Sequence, residues 1–166
     1  MSENAASCGV LLVNLGTPSE PSTGAVRRYL REFLSDTRVI DTPRLLWWFI
    51  LNCVILVIRP GKVAKLYRSI WTEQGSPLLI GSQAQAAALQ HSFKQRGLNM
   101  HVELAMTYGQ PAIGDAIQRL RDKGCERILV LPLYPQYSAT TTAAVMDAVV
   151  DSQRQVRDIP EFRFVK

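Results

Sequence analysis

The sequence predicts an α/β protein, a flavodoxin-like three-layer sandwich in which a parallel sheet lies between helices. Three observations carry this. Cys8 to Leu15 (CGVLLVNL) is a continuous apolar run closed by Gly16-Thr17-Pro18, the pattern of a strand buried on both faces. Arg127 to Leu133 (RILVLPL) is a second such run. Between and around them, strand-like runs alternate with segments whose apolar residues recur at helical spacing, the order that builds β-α-β units with right-handed crossovers.

Taken in order, the first strand is followed by a polar turn in which Ser22 can cap a helix. Val26, Tyr29, Leu30, Phe33 and Leu34 form the inward stripe of that helix. A second amphipathic helix is expected after Pro60-Gly61, with Val63, Leu66, Tyr67, Ile70 and Trp71 on one stripe and an end near Gly75. A third begins between Ser76 and Ser82 and runs through Ala86, Leu89 and Phe93 to Gly97. His101 to Tyr108 reads as a strand, and Pro111 opens a helix that buries Ile113, Ala116, Ile117 and Leu120 before Gly124. After the Arg127 strand come the turn Tyr134-Pro135-Gln136-Tyr137 and a helix from about Thr140 to Arg154. Phe162 to Lys166 ends the chain on one more strand-like run. Ending mid-strand without a closing helix, the chain reads as the front part of a longer protein.

One segment departs from this pattern. Leu45 to Ile58 (LLWWFILNCVILVI) is apolar at every position except Asn52 and so lacks the polar face of an ordinary surface helix. At about 1.5 Å per residue it spans roughly 21 Å, short of the roughly 30 Å hydrocarbon layer, so alone it does not cross a bilayer. Two readings stand: a helix buried in the core, or an exposed apolar lip that meets a membrane or an apolar ligand. Trp47 and Trp48 sit where an interfacial anchor would, and Arg44 and Arg59 flank the run.

The 166 residues suit one domain, and 47% apolar with 20% charged residues excludes a disordered or collagen-like chain. The net charge of +5 is modest, and no dense run of Lys and Arg interleaved with aromatics appears, so nucleic acid is not an expected partner. Cys8, Cys53 and Cys125 are odd in number and far apart, which favours neither a disulfide framework nor a metal-binding pair. With no charged and apolar leader before the first strand, the chain reads as cytoplasmic.

In an open parallel sheet the ligand crevice lies beyond the carboxyl ends of the strands. That singles out Asn14 to Pro18, Thr107 to Pro111, and Tyr134 to Thr142, where two tyrosines and four hydroxyls enter a helix N-terminus. The first has a single glycine, and no phosphate-loop pattern occurs, so nucleotide binding is disfavoured. Ser138 or Thr140 can equally serve as a simple helix cap, and Tyr67 can equally be core packing.

The motifs LVNLGTP, LYRSIW followed by GSPL, MTYGQP and above all LPLYPQYSATTT resemble, in order and spacing, the N-terminal half of the ferrochelatase family, from Gly9 to Lys166. The resemblance implies a chelatase fold of two similar domains, of which residues 1–166 are the first, with the apolar lip at 45–58. It implies an enzyme of heme (porphyrin) biosynthesis, a lyase that inserts ferrous iron into protoporphyrin IX. By resemblance, Leu15 faces the macrocycle, Arg59, Tyr67 and Ser76 line the entrance or meet propionates, and Tyr134 and Ser138 belong to the pocket floor. Ferrous iron is then a substrate, and no tightly bound cofactor is implied. Two positions depart from relatives: Thr107 stands where many have arginine, and Ala139 stands where some carry a cluster-binding cysteine, so no iron-sulfur cluster is expected. The family's catalytic histidine and its carboxylate partner fall downstream of the segment matching Lys166, so no catalytic residue and no resident metal ligand is assigned here. His91 falls on a polar helix face, and His101 starts a strand at the sheet edge away from the crevice. Expected partners are the porphyrin, ferrous iron and a membrane surface reached through Leu45 to Ile58, with self-association through an uncovered apolar face. Two other classes remain in play: a non-catalytic porphyrin or heme-binding module, and a membrane-associated interaction domain.

Overall fold

The computed structural model describes residues 7–165, so the leader-free reading of Met1 to Ala6 and the last residue, Lys166, lie outside the described residues. Strand β1 (Ser7–Thr17) is central. It pairs in parallel with β2 (Met100–Gly109) on one side and with β3 (Cys125–Pro132) on the other, and β3 pairs with β4 (Glu161–Phe164). The order β2-β1-β3-β4 is entirely parallel, the expected layered α/β architecture.

Side-chain alternation along the strands explains the two sandwich faces. Leu11 and Val13 of β1 and Ile128 and Val130 of β3 point to one face. There they meet Ile113, Ala116, Ile117 and Leu120 of α5 (Ile113–Asp122) and Val145 and Val149 of α6 (Ala144–Gln153). Val10 and Leu12, with Val102, Leu104 and Met106 of β2, point to the other face. That face is covered by Leu79, Ala86, Leu89 and Phe93 of α4 (Pro77–Gln95). With both faces covered, β1 needs apolar residues at successive positions, and that is why its sequence does not alternate.

Gln90 of α4 also finishes the open edge of β2. Its side-chain amide donates to the Met100 carbonyl at 2.9 Å and accepts from the Val102 N–H at 2.8 Å, replacing the neighbour an edge strand lacks.

Helix α1 (Thr23–Ser35) begins as expected: the Ser22 hydroxyl accepts a hydrogen bond from the Ala25 N–H at 3.1 Å. The following region does not match the reading. Helix α2 (Arg44–Phe49), a wide π-helical turn (Ile50–Ile55) and α3 (Leu56–Ile70) form one continuous helical stretch. Pro60 and Gly61 do not start a helix; Pro60 is inside it and fully buried, so packing of its ring outweighs the backbone bond it cannot make. The stripe differs too. Ala64 is buried and Val63, Tyr67 and Trp71 are partly covered, whereas Leu66 and Ile70 face solvent.

Leu45 to Ile58 is buried in part and exposed in part. Leu51 and Leu56 are core residues, while Leu45, Leu46, Trp48, Phe49, Val54, Val57 and Ile58 are exposed. Trp47 is not an outward anchor: its indole N–H donates to the Leu34 carbonyl at 2.7 Å, one of the acceptors left open at the end of α1. Asn52 turns back on its own helix, donating to the Trp48 carbonyl at 2.9 Å. Including the charged turns beyond the apolar run, the stretch Arg44–Ile70 has 27 residues and is long and apolar enough, by length and composition, to reach across a bilayer.

Candidate functional site at the carboxyl ends of the strands

The chain leaves β1 toward β2 on one side and reaches β3 on the other, so the switch point of the sheet lies between β1 and β3. Crevices form at such points because the connections diverge to opposite faces. Register brings the strand ends level. Gly16 is opposite Tyr108, Val13 is opposite Pro132, and the Leu133 N–H donates to the Val13 carbonyl at 2.7 Å. Leu15, Thr107, Tyr108 and Tyr134 therefore leave the sheet side by side.

Gly16 makes this convergence sterically feasible. Its φ is +119°, and a Cβ there would lie 1.9 Å from the Tyr108 carbonyl oxygen. The adjacent Thr17 hydroxyl donates to the buried Ser76 hydroxyl at 2.9 Å, fixing the residue before α4 to the end of β1. Asn14 adds a second tie, donating to Ser82 of α4 at 3.0 Å.

Aromatic rings wall the site. Leu15 is half-buried against a cluster that includes Tyr29, Tyr108 and Tyr67. Tyr29 stacks on Phe33, and Phe33 meets Tyr108 edge-on. Tyr67 meets Trp71 edge-on. Burial pushes the Tyr29 hydroxyl well above its ordinary pKa, and neighbouring Tyr67 and Tyr134 push it further. Burial does the same to Tyr108, helped by the hydrogen bond its hydroxyl donates to Asp36 at 2.7 Å. Tyr67 and Tyr134 are raised chiefly by burial as well. The rings thus present neutral phenols. The Tyr134 hydroxyl is sealed from solvent without a well-formed hydrogen bond, while its ring leans on the α5–α6 core.

The residues singled out in the sequence are not all brought together. Leu15 and Tyr67 share one cluster, whereas Tyr134, just past Leu133 at the end of β3, packs against the separate cluster under α5 and α6. Ser76 is buried and engaged by Thr17, so it fastens the site from behind. Arg59 is exposed on α3, eight residues and about 12 Å of helix from Tyr67. Ser138 shares hydrogen bonds with the Thr140 and Thr141 hydroxyls at 3.0 and 2.8 Å, and its side chain does not cap the π-helical turn (Ala139–Ala143) that leads into α6. His91 is exposed and His101 lies at the amino end of β2, opposite Gly9 and away from the crevice.

Sequence reasoning passed over Tyr29 and Asp36. Tyr29 sits on a helical apolar stripe and reads as packing, whereas in the structure its hydroxyl donates to the Gly16 carbonyl at 3.3 Å. Beside Tyr108 a depression of about 360 Å³ is lined in part by Glu32, Asp36, Arg44, Thr107 and Asp147. Its carboxylates are engaged: Glu32 accepts the Gly109 N–H at 3.0 Å, Asp36 accepts Tyr108, and Asp147 pairs with Arg38. Among the described residues, no group of three or more His, Cys, Asp or Glu side chains could hold a metal ion.

The fold and this site define a class: a parallel α/β domain with a cluster of apolar and aromatic side chains at the carboxyl ends of its strands. The family model described as Ferrochelatase matches residues 7–166. Similar curated proteins, each named ferrochelatase, come from Bordetella pertussis (strain Tohama I), with 58% identity over 95% of this chain and 44% of that protein, and from Actinobacillus pleuropneumoniae serotype 5b (strain L20), with 59% identity over 95% of this chain and 49% of that protein. A third, from Janthinobacterium sp. (strain Marseille), is 55% identical over 95% of this chain and 43% of that protein. The chain belongs to the ferrochelatase family, and it spans less than half the length of the curated relatives it matches.

Proposed function

We propose that this chain is the porphyrin-holding half of a ferrochelatase, the enzyme that inserts ferrous iron into protoporphyrin IX to make protoheme. The observation that carries the reading is that the ends of β1, β2 and β3 lie level, so that Leu15, packed with the Tyr29–Tyr67–Tyr108 cluster, and Tyr134 leave the sheet at the same edge. A porphyrin is a flat apolar disc with two propionates, so it needs aliphatic and aromatic walls on its faces and cations or hydroxyls at its rim. Leu15, Tyr67 and Tyr134 supply the walls, and Arg59 and Ser138 supply rim groups. Ser76 acts through Thr17, holding the entrance of α4 in place. Ferrous iron enters as substrate. Insertion also needs a base for the two pyrrole protons, and that role is left to the part of the protein that the longer relatives possess.

The protein works in the cytoplasm, attached peripherally to a membrane through the exposed apolar residues between Leu45 and Ile58. Their exposure on a folded domain supports this reading, because a large uncovered apolar patch normally marks an interaction surface.

The test is a titration of the chain with protoporphyrin IX, followed by porphyrin absorbance and tryptophan quenching, and then addition of zinc or ferrous ion. Saturable binding supports the reading; no spectral change at micromolar porphyrin overturns it. Repeating the metal addition with the full-length protein separates the alternatives. Metallation there supports a half-enzyme, and binding without metallation favours a non-catalytic porphyrin or heme-binding module.

A further inference from the structure

No Asp or Glu occurs between Asp41 and Glu73, whereas Arg44, Arg59, Lys62, Lys65 and Arg68 all do. These five cations equal the net charge of +5 of the whole chain; the other 14 Lys and Arg balance the 14 Asp and Glu. All five fall within the single helical stretch Arg44–Ile70, and all five side chains are exposed. None takes part in the ion pairs that the described residues form. The same stretch carries the exposed apolar residues, concentrated in its first half. Four of the cations follow them directly.

Charge segregated in this way has a chemical meaning. An exposed apolar patch alone is satisfied by any bilayer, neutral or charged. Unpaired cations beside it gain from a negatively charged headgroup layer, each by an amount that fades with salt. Two porphyrin propionates would occupy at most two of the five. Nucleic acid is less suitable, since the apolar half would remain in water.

We infer that the helix Arg44–Ile70 selects anionic phospholipid, with the exposed apolar residues between Leu45 and Ile58 entering the headgroup boundary and Lys62, Lys65 and Arg68 pairing with lipid phosphates. This rests on the membrane attachment proposed above and goes beyond it by naming the lipid class. It also explains why the balance of charge differs so sharply between this helix and the rest of the domain.

Flotation with two sets of vesicles tests it: phosphatidylcholine alone, and phosphatidylcholine with about a third phosphatidylglycerol. The expected result is recovery on the anionic vesicles at least roughly tenfold above the neutral ones, released by 0.5 M sodium chloride. The variant Lys62→Gln/Lys65→Gln/Arg68→Gln should lose that preference with its circular dichroism unchanged, and the salt release on the native chain needs no variant at all. Equal recovery on both vesicles overturns the lipid selection while leaving membrane attachment intact. Recovery on neither overturns both. Binding to duplex DNA as tight as to the anionic vesicles, at equal phosphate, also overturns it.

Discussion

Gly16 lies against the Tyr108 carbonyl so closely that a Cβ on residue 16 would be 1.9 Å from that oxygen. The contact joins the ends of β1 and β2 at the lip of the crevice and ties a sequence motif, LGTP, to the shape of the site. Gly16→Ala therefore forces two backbones apart in a region where φ is +119°. The expected cost is about 3 kcal/mol or more, read from the urea midpoint, with porphyrin binding reduced in whatever remains folded. A variant as stable as the native chain would contradict the close approach.

Trp47 and Trp48 should behave oppositely although they are neighbours. Trp47→Ser removes an indole that packs with Leu34 and Leu51 and satisfies the end of α1, with an expected loss of about 3 kcal/mol. Trp48→Ser changes an exposed residue and should shift stability by less than about 0.5 kcal/mol, while weakening vesicle binding. Thermal unfolding of the two single variants decides the matter. Equal losses would place both rings in the core.

Glu103 of β2 links to Arg119 and Lys123 of α5. Burial pushes its carboxyl up, but the hydrogen bonds and charges of Lys123 and Arg119 outweigh this and hold it below the ordinary value. A depressed carboxyl stabilises the fold above its unfolded pKa, and that contribution is lost as pH falls through the folded value. Glu103→Gln should thus cost about 0.5 to 1 kcal/mol at pH 7 and less at pH 3, measured as urea midpoints at both. An unchanged gap at the two pH values would contradict the pairing.

Most of the layer architecture was legible because its signals are local. The continuous run Val10–Val13 announced a strand covered on both faces, Ser22 announced its helix, and Ile113, Ala116, Ile117 and Leu120 all proved buried as spaced. The stretch from Arg44 to Ile70 was misjudged because its boundaries depend on tertiary burial. Pro60 normally breaks a helix, and nothing local says that its ring is packed. The site was half legible. Positions at strand ends could be named from the runs themselves, and Leu15 and Tyr134 do fall at the ends of β1 and β3. That Ser76 faces Thr17, or that Tyr29 reaches across to the site, depends on how α1 and α4 fold back, which no spacing encodes.

The central claim is that the aromatic crevice at the β1–β3 switch point holds a porphyrin, and Tyr134 tests it most directly. Tyr134→Phe keeps the ring and removes a buried hydroxyl that lacks a well-formed partner, so fold and affinity should stay within about threefold of the native chain. Tyr134→Ala removes the wall, costing about 1 to 3 kcal/mol of binding, and Ser138→Ala should matter less. The decisive measurement is the protoporphyrin IX dissociation constant of these variants, with folding verified by circular dichroism. The account predicts a weakening of roughly tenfold to hundredfold for Tyr134→Ala alone. An unchanged constant in a folded Tyr134→Ala protein would contradict it and move the pocket away from this edge of the sheet.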